Sequence, residues 1–468
     1  MTDCNQKEFK FQGLKTRKVV GSFNGGTITS DAGSLLLREV ETRTGILKEF
    51  SECFEDHRNP GLLEHRVDEL ISQRVYGLCL GYEDLNDHDV LRRDPLLALI
   101  SGKSDPTGQS RRRKQDRGKA LAGKSTLNRL ELTAEAIEEM KARKIICRHE
   151  AVEKMFVDVM MKLEGKEPEE IILDLDATDD LIHGMQEGRF FHGYYGNYCY
   201  LPLYIFCGDH LLVAKLRTSN RDGSDGALEE VERIVEQIRQ TWREVRILLR
   251  GDSGFCREDL MTWCEKQHHV DYVFGLAKND RLKAELLEAM VEAKAEYAQT
   301  GEAARRFVDF EYQTLKSWSR PRRVIGKAEY MEKGENPRLV VTSLGKERME
   351  ARSLSEDCYC ARGDMENRIK EQQLDLFADR TSSETMRANQ LRLWFSSVAY
   401  VLMHALRMLG LKATEFAQAQ CQTIRNKILK IGAQVKISVR RVLISFASGY
   451  PYQEIFEQVF VRLKTLKL

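Results

Sequence analysis

The chain has 468 residues and carries 73 Lys and Arg against 72 Asp and Glu, a formal net charge of only +1. That balance excludes a uniformly basic nucleic-acid coat, so any polyanion-binding surface has to arise from local clustering. A hydrophobic share of 42% supports packed cores, and the length predicts about two to four domains. There are 11 cysteines with no C-x-x-C pair, and Cys358 and Cys360 are one residue apart, which predicts reduced thiols rather than a zinc knuckle or redox motif. The opening MTDCNQKEFK has no apolar signal region, and apolar stretches such as Leu393–Leu411 are interrupted by polar residues, so no membrane span is expected.

Residues 1–165 read as mostly helical. Apolar residues recur at helical spacing in Leu36–Val40 and His65–Leu80, with Ser30 and Asp31 as candidate N-caps. Ser101–Lys124 reads as a mobile basic loop around Arg111, Arg112, Arg113 and Lys114, followed by helix over about Thr126–Lys144. The texture then changes. Ile171–Asp176 is an apolar strand ending in acid. Tyr198–Cys207 and His210–Thr218 are strands around a Gly208-Asp209 turn. Helix Ala227–Thr241, strand Val245–Leu249, helix Glu258–Lys266 and strand Tyr272–Leu276 complete a β-β-β-α-β-α-β order. Residues 280–298 read as helix and 305–343 as a small β-rich insertion. Helical patterning resumes near 359 and runs past Leu411.

Three acids stand out by position. Asp176 ends the first strand, Asp252 ends the fourth in Arg250-Gly-Asp252, and Glu366 lies on the helix after the insertion. Carboxylates at the ends of neighbouring strands converge on the crevice where α/β sheets bind ligands. Mg²⁺ (or Mn²⁺) takes oxygen ligands, and two such ions held by three carboxylates can serve in-line phosphodiester chemistry. Asp174 competes with Asp176, because at period two both point to one face; Asp176 is favoured because Asp176-Ala-Thr leads into the turn, while Asp179 and Asp180 read as exposed turn residues. Spacings of three, four and seven put Tyr359, Arg362 and Glu366 on one helical face, where Arg supplies bidentate donors to a phosphate.

Ile171-Ile-Leu-Asp-Leu-Asp176-Ala-Thr, Arg250-Gly-Asp252-Ser-Gly-Phe255 and Tyr359-x-x-Arg362-x-x-x-Glu366 together resemble the DDE transposases of bacterial insertion sequences, in the branch with a Y-x-x-R-x-x-x-E helix and a β-rich insertion. Gly193-Tyr-Tyr-Gly-Asn-Tyr-Cys-Tyr-Leu-Pro-Leu203 and Thr29-Ser-Asp-Ala-Gly33 bring the likeness closer to insertion-sequence family thirteen-eighty. The resemblance spans nearly the whole chain. It implies an α/β fold with an RNase H-like (retroviral-integrase-like) catalytic core at 166–410, the insertion lying at about 300–345. A helical DNA-end-binding and assembly region would occupy 1–165, and a basic helical region 411–468. It implies cleavage at the element's terminal inverted repeats and joining of the 3′-OH ends to target DNA, with two Mg²⁺ or Mn²⁺ ions on Asp176, Asp252 and Glu366. Tyr359 and Arg362 would contact phosphates. The broader group often carries Lys seven residues after the Glu; here that position is Gln373, and Lys370 is the candidate substitute. A homodimer is expected, since two double-stranded ends must be joined. A cytoplasmic, nucleoid-associated location in a bacterium follows from the same resemblance.

Two rival readings compete. Gly118-Lys-Ala-Leu-Ala-Gly123-Lys124-Ser125 fits the P-loop pattern of an ATPase, with Ile171–Asp174 as the partner strand. A P-loop needs a buried strand to deliver it, and Ser110-Arg-Arg-Arg-Lys-Gln-Asp-Arg117 cannot be one. The other is a non-catalytic DNA-binding protein. Between Cys421 and Tyr450 lie Arg425, Lys427, Lys430, Lys436, Arg440 and Arg441 with no acid, a composition suited to phosphate contacts, as is Arg111–Arg113. Trp318, beside Lys316, Arg320, Arg322 and Arg323, is a candidate for stacking on a displaced base. His268-His269 reads as a surface turn, and His183 and His192 lack a Cys at zinc-ligand spacing.

Overall fold

The structure is a computed structural model that describes residues 7–133 and 144–466. The chain divides into two compact units, one made of residues 1–146 with 405–467 and the other of 147–404.

The second unit is built on a nine-stranded mixed sheet. Helix α1 (His149–Glu164) ends at Gly165, whose φ of 72° closes the helix in the left-handed region. Strands β1 (Glu170–Ala177), β2 (Leu203–Cys207) and β3 (His210–Lys215) form an antiparallel meander, with Gly208 at φ 57° making the tight β2–β3 turn. Helix α2 (Ala227–Arg239) then crosses to β4 (Arg246–Gly251), and α3 (Glu258–Lys266) to β5 (Val270–Gly275). Both β4 and β5 run parallel to β1. Helix α4 (Leu287–Thr300) leads to β6 (Ala304–Tyr312), β7 (Arg322–Met331) and β8 (Arg338–Thr342). The sheet order is β3-β2-β1-β4-β5-β8-β7-β6, with the short strand Gly334–Glu335 beside β7.

Alternation decides which side each strand residue serves. Leu173, Leu175, Ile247, Leu249, Tyr272 and Phe274 face a core closed by α1, α2 and α3. Leu248, Val273, Val340 and Ile172 face the other way, against Leu354, Cys358 and Tyr359 of helix α5, residues 351–375. Asp174 and Asp176 share the parity of Ile172, so both belong to the α5 side. Helix α6 (Met386–Ala405) continues as a π turn over Leu406–Leu411. Residues 386–411 are long and apolar enough to cross a membrane, with a mean hydropathy of 1.2, but 94% of that window is buried inside the protein.

Several expectations are revised here. Strands β6–β8 do not make a separate small insertion fold: β8 pairs with β5, so the 305–343 segment continues the main sheet. The expected Tyr198–Cys207 strand is split, with Asn197–Tyr200 pairing in a small three-stranded sheet instead. Helix α5 begins at 351 rather than 359, and it is broken by a π turn at Leu354–Tyr359 and a 3-10 turn at Cys360–Arg362.

The first unit contains helices Leu35–Thr44, Ile46–Glu52 and Val67–Cys79, within the expected helical stretches. Asp31 does not cap the following helix through its side chain; it accepts from the Tyr82 hydroxyl and pairs with Lys430. An antiparallel ribbon, Phe9–Leu14 with Arg17–Gly21, was not expected in this region. The 411–466 segment is not all helical either. Ala433–Ile437 and Val442–Phe446 form a hairpin whose inner edge pairs with Ile28–Thr29. The alternating burial of Ala433, Val435 and Ile437 is that of a half-buried strand. Gly33 is required where the two ends of the sequence meet, since a Cβ there would lie 2.0 Å from the Ile428 carbonyl oxygen. The loop expected to be mobile at 101–124 is held by Arg111 on Glu64 (2.7 Å) and by an ordered turn at Lys114–Asp116. The helix expected over Thr126–Lys144 is observed as Lys124–Glu131; residues 134–143 lie outside the described residues. The ten described cysteines are all free thiols, and only Cys256 and Cys360 are not fully buried.

Candidate active site at the carboxyl ends of the parallel strands

Asp176 lies in the last turn-ward residues of β1, and Asp252 follows β4 directly. The parallel register pairs Arg250 with Asp174 and Gly251 with Leu175, so the next step along both strands brings Asp252 beside Asp176. Helix α5 supplies the third side. Arg362 donates to Glu366 at 2.8 Å and stands 3.6 Å from Asp176. Asp252 accepts from the backbone N–H of Gly254 at 2.8 Å, which fixes one of its oxygens.

The electrostatics join these groups into one site. Burial, aided by the negative charges of Asp252 and Glu366, pushes the Asp176 carboxyl up to about 6 against the pull of Arg362. Three carboxylates thus share a single guanidinium. Nη1 of Arg362 is buried and makes no hydrogen bond; it faces the Asp176 carboxylate at 3.6 Å. The donor set is all carboxylate oxygen, the kind preferred by Mg²⁺ or Mn²⁺, and like-charge crowding at Asp176 is what a divalent cation would relieve.

Asp174 is committed elsewhere. It is only 3% exposed and forms a two-pronged pair with Arg250, at 2.5 and 2.7 Å. Arg250 also donates to the Cys358 carbonyl within the π turn of α5. The Asp174–Arg250 pair therefore ties β1 and β4 to the helix that carries Glu366. Sequence reading left Arg250 without a role, although its spacing of two from Asp252 already gave the two the same parity at the end of β4.

Tyr359 packs on the same floor. Its hydroxyl sits so close to Gly275 that a Cβ there would lie 2.5 Å away, and 2.9 Å from the Ser253 backbone nitrogen. Gly275 was also missed; only the register of β5 beside β4 reveals it. Lys370, one turn beyond Glu366, is exposed, and Gln373 donates to the Asp179 carbonyl at 3.3 Å. Asp180 is buried, at 2% exposure, rather than an exposed turn residue; burial holds its carboxyl well above the ordinary carboxylate range.

The other candidates divide. Arg425 is buried and donates to the carbonyls of Cys79 and Leu78, which removes it from any DNA surface. Lys427, Arg440 and Arg441 are exposed. Arg111 is spent on Glu64 and His65, and Arg112 donates to the Gly61 carbonyl; Arg113 is exposed. Trp318 is 7% exposed and packs edge-on against Tyr312, so it belongs to the core rather than to a base-stacking surface. The P-loop-like stretch has no delivering strand: a 3-10 turn precedes Gly118, and Lys124 donates to Asn86. A further ligand group, Glu244, His268 and His269, is exposed with donor atoms within 4.8 Å of one another. It lies at the amino ends of β4 and β5, opposite the end that carries Asp252.

A family model described as a transposase DDE domain, group 1, matches residues 11–468. The chain belongs to the DDE transposases. Membership makes it a metal-dependent enzyme that cleaves and transfers DNA strands. No curated protein matches the sequence. Among solved structures, the piggyBac transposase synaptic complex with hairpin DNA aligns with this transposase over 94% of this chain and 83% of that chain, at 10% identity and a TM-score of 0.41.

Proposed function

We propose that this DDE transposase acts at the terminal inverted repeats of a bacterial insertion sequence of family thirteen-eighty, freeing 3′-OH ends and joining them to target DNA. The observation that carries this reading is the convergence of Asp176, Asp252 and Glu366 around Arg362 at one end of the parallel strands. An RNase H-like core is supported by the arrangement of β1–β5, a three-stranded antiparallel meander followed by two crossover strands parallel to the first.

Asp176, Asp252 and Glu366 would hold two Mg²⁺ or Mn²⁺ ions, whose charge activates the attacking oxygen and stabilises the leaving one. The chain's own residues do the positioning. Arg362 neutralises part of the carboxylate charge, and its guanidinium would turn to a phosphate oxygen once metal takes over the carboxylates. Tyr359, fixed against Gly275, presents its hydroxyl beside Asp252. The Asp174–Arg250 pair keeps α5 at the right height above the sheet. A dimer in the working complex follows from the need to join two ends.

The test is a plasmid carrying the gene's flanking DNA, incubated with protein and Mg²⁺, with chelator, or with the Asp252→Ala variant. Discrete cuts that require metal and vanish in the variant are the expected result. Absence of cutting by the wild type on any flanking sequence overturns the inverted-repeat assignment.

A further inference from the structure

Two stretches of the chain carry no acidic residue although a third of the protein is charged: residues 9–30 and residues 421–453. They are far apart in sequence, yet the fold joins them. Ile28–Thr29 pairs with Ala433–Gln434, the Val435 N–H donates to the Thr27 carbonyl, and Gln434 reaches the Gly25 carbonyl. The acid-free segments therefore meet in the first unit, at residues 25–29 and 433–435.

Its outer part is the ribbon of Phe9–Leu14 and Arg17–Gly21, connected to Ile28–Thr29 by only six residues, 22–27. Almost every residue of that ribbon is exposed on both faces, including Phe11 at 62% and Leu14 at 64%. A lone two-stranded ribbon is marginal in water, so this one is shaped for a partner. Lys10, Lys15, Arg17 and Lys18 all lie on it, exposed, and none of them has an ion-pair partner among the described residues. The second hairpin adds exposed Lys436, Arg440 and Arg441, with Val439 fully exposed at its tip.

We propose that these two hairpins form a basic grip for duplex DNA, the Phe9–Gly21 ribbon lying in a groove and its lysines and arginine meeting the flanking phosphates. The major groove admits a two-stranded ribbon, and phosphate contacts of this kind hold position without reading sequence. Charge selects the occupant. Two copies of these acid-free hairpins, each carrying exposed lysines and arginines, repel each other, whereas a duplex offers one negative charge per roughly 1.7 Å of axis. The grip assigns a DNA-holding role to residues 9–21, for which the carboxylate site has no use. It rests on the reading of the protein as a transposase, but it is tested separately from the chemistry.

The test measures binding of a fluorescein-labelled 30-bp duplex of arbitrary sequence by the full chain, in metal-free buffer, across a salt series. The variant is Lys15→Ala/Arg17→Ala/Lys18→Ala. These side chains are exposed, so the melting temperature should stay at the wild-type value. Loss of about three phosphate contacts should flatten the slope of log K against log salt by about two to three, and weaken binding at least about tenfold near 150 mM salt. Lys15→Arg/Lys18→Arg should bind as wild type. An unchanged slope and affinity in the triple alanine variant overturns the proposal. So does an unchanged affinity accompanied by loss of self-association on a sizing column, which would assign the ribbon to a second copy of the chain. Metal-dependent cutting by the wild type reports on the transposase reading alone, so the two failures cannot be confused.

Discussion

Asp174 and Asp176 have the same side chain, the same strand and the same face, and opposite duties. Asp174 neutralises a buried guanidinium, so Asp174→Ala leaves Arg250 unpaired and should destabilise the protein by about 3 kcal/mol or more in denaturant melts. Asp176 is the reverse case. Its folded carboxyl sits near 6, above the ordinary 3.8, so the folded state holds that proton more tightly than the unfolded chain. Ionising it therefore costs folding stability progressively as pH rises from about 4 to 6, by up to about 3 kcal/mol above that window. Asp176→Asn should abolish cleavage yet melt at an equal or higher temperature than wild type in metal-free buffer at pH 7.5; a lower melting temperature contradicts this account. Because a bound cation needs the ionised carboxylate, Mn²⁺ affinity should rise by up to about tenfold per pH unit below 6 and flatten above it, as read by calorimetry from pH 5 to 8. The sequence placed both aspartates at the crevice because strand parity is legible in it. Which of them Arg250 takes depends on the register between β1 and β4, which no single segment encodes.

Segment by segment, the crossovers and their strands were legible because their apolar periods are regular; helix α3 matches its expected bounds at Glu258–Lys266. Sheet partners were not. The 305–343 alternation correctly announces strands, but nothing local says that β8 will pair with β5 and enlarge the central sheet. The breaks in α5 were equally hidden: within the wide turn at Leu354–Tyr359 the Cys358 carbonyl accepts from Arg250, a long-range contact that no local propensity announces. One side chain ties the added strands to the core helices: Arg322, on β7, pairs with Glu258 and Glu265 of α3. Burial raises the Glu258 carboxyl, but the hydrogen bonds from Arg322 and Ser319 outweigh it and hold the group at about 2. Its contribution is thus present above the ordinary glutamate value and fades as pH falls toward 2. Arg322→Met should cost about 3 kcal/mol at neutral pH and less at pH 3, by urea denaturation at both. Gly275→Ala acts on the neighbouring strand. Its methyl would displace Tyr359 and the Asp252–Ser253 backbone, and should cut strand cleavage at least about a hundredfold with α-helical circular dichroism unchanged.

Over the whole chain, the two-unit division follows contact rather than sequence order, because residues 405–467 return to pack with residues 1–146. The expectation of an all-helical beginning and ending failed where side chains are exposed. The Phe9–Gly21 ribbon buries too little to impose a readable alternation, and the Ala433–Phe446 hairpin lies behind a basic composition that also suits a solvated helix. Gly33→Ala tests the union of the two ends: with a Cβ 2.0 Å from the Ile428 oxygen, the first unit should open. Limited proteolysis would then release fragments from residues 1–146 while 147–404 stays resistant, and equal resistance of both units would contradict the arrangement.

That return of the chain sets an order of events during synthesis. A ribosome that has delivered residues 147–404 has delivered every strand of the large sheet and all three clustered carboxylates, while the partners of Ile28–Thr29 and Gly33 are still to be translated. The carboxylate cluster can take shape first, and the unit bearing the basic hairpins closes only when the last segment emerges. A polypeptide cut short by a frameshift or a premature stop soon after residue 404 would carry the three clustered carboxylates without the segment that completes the first unit.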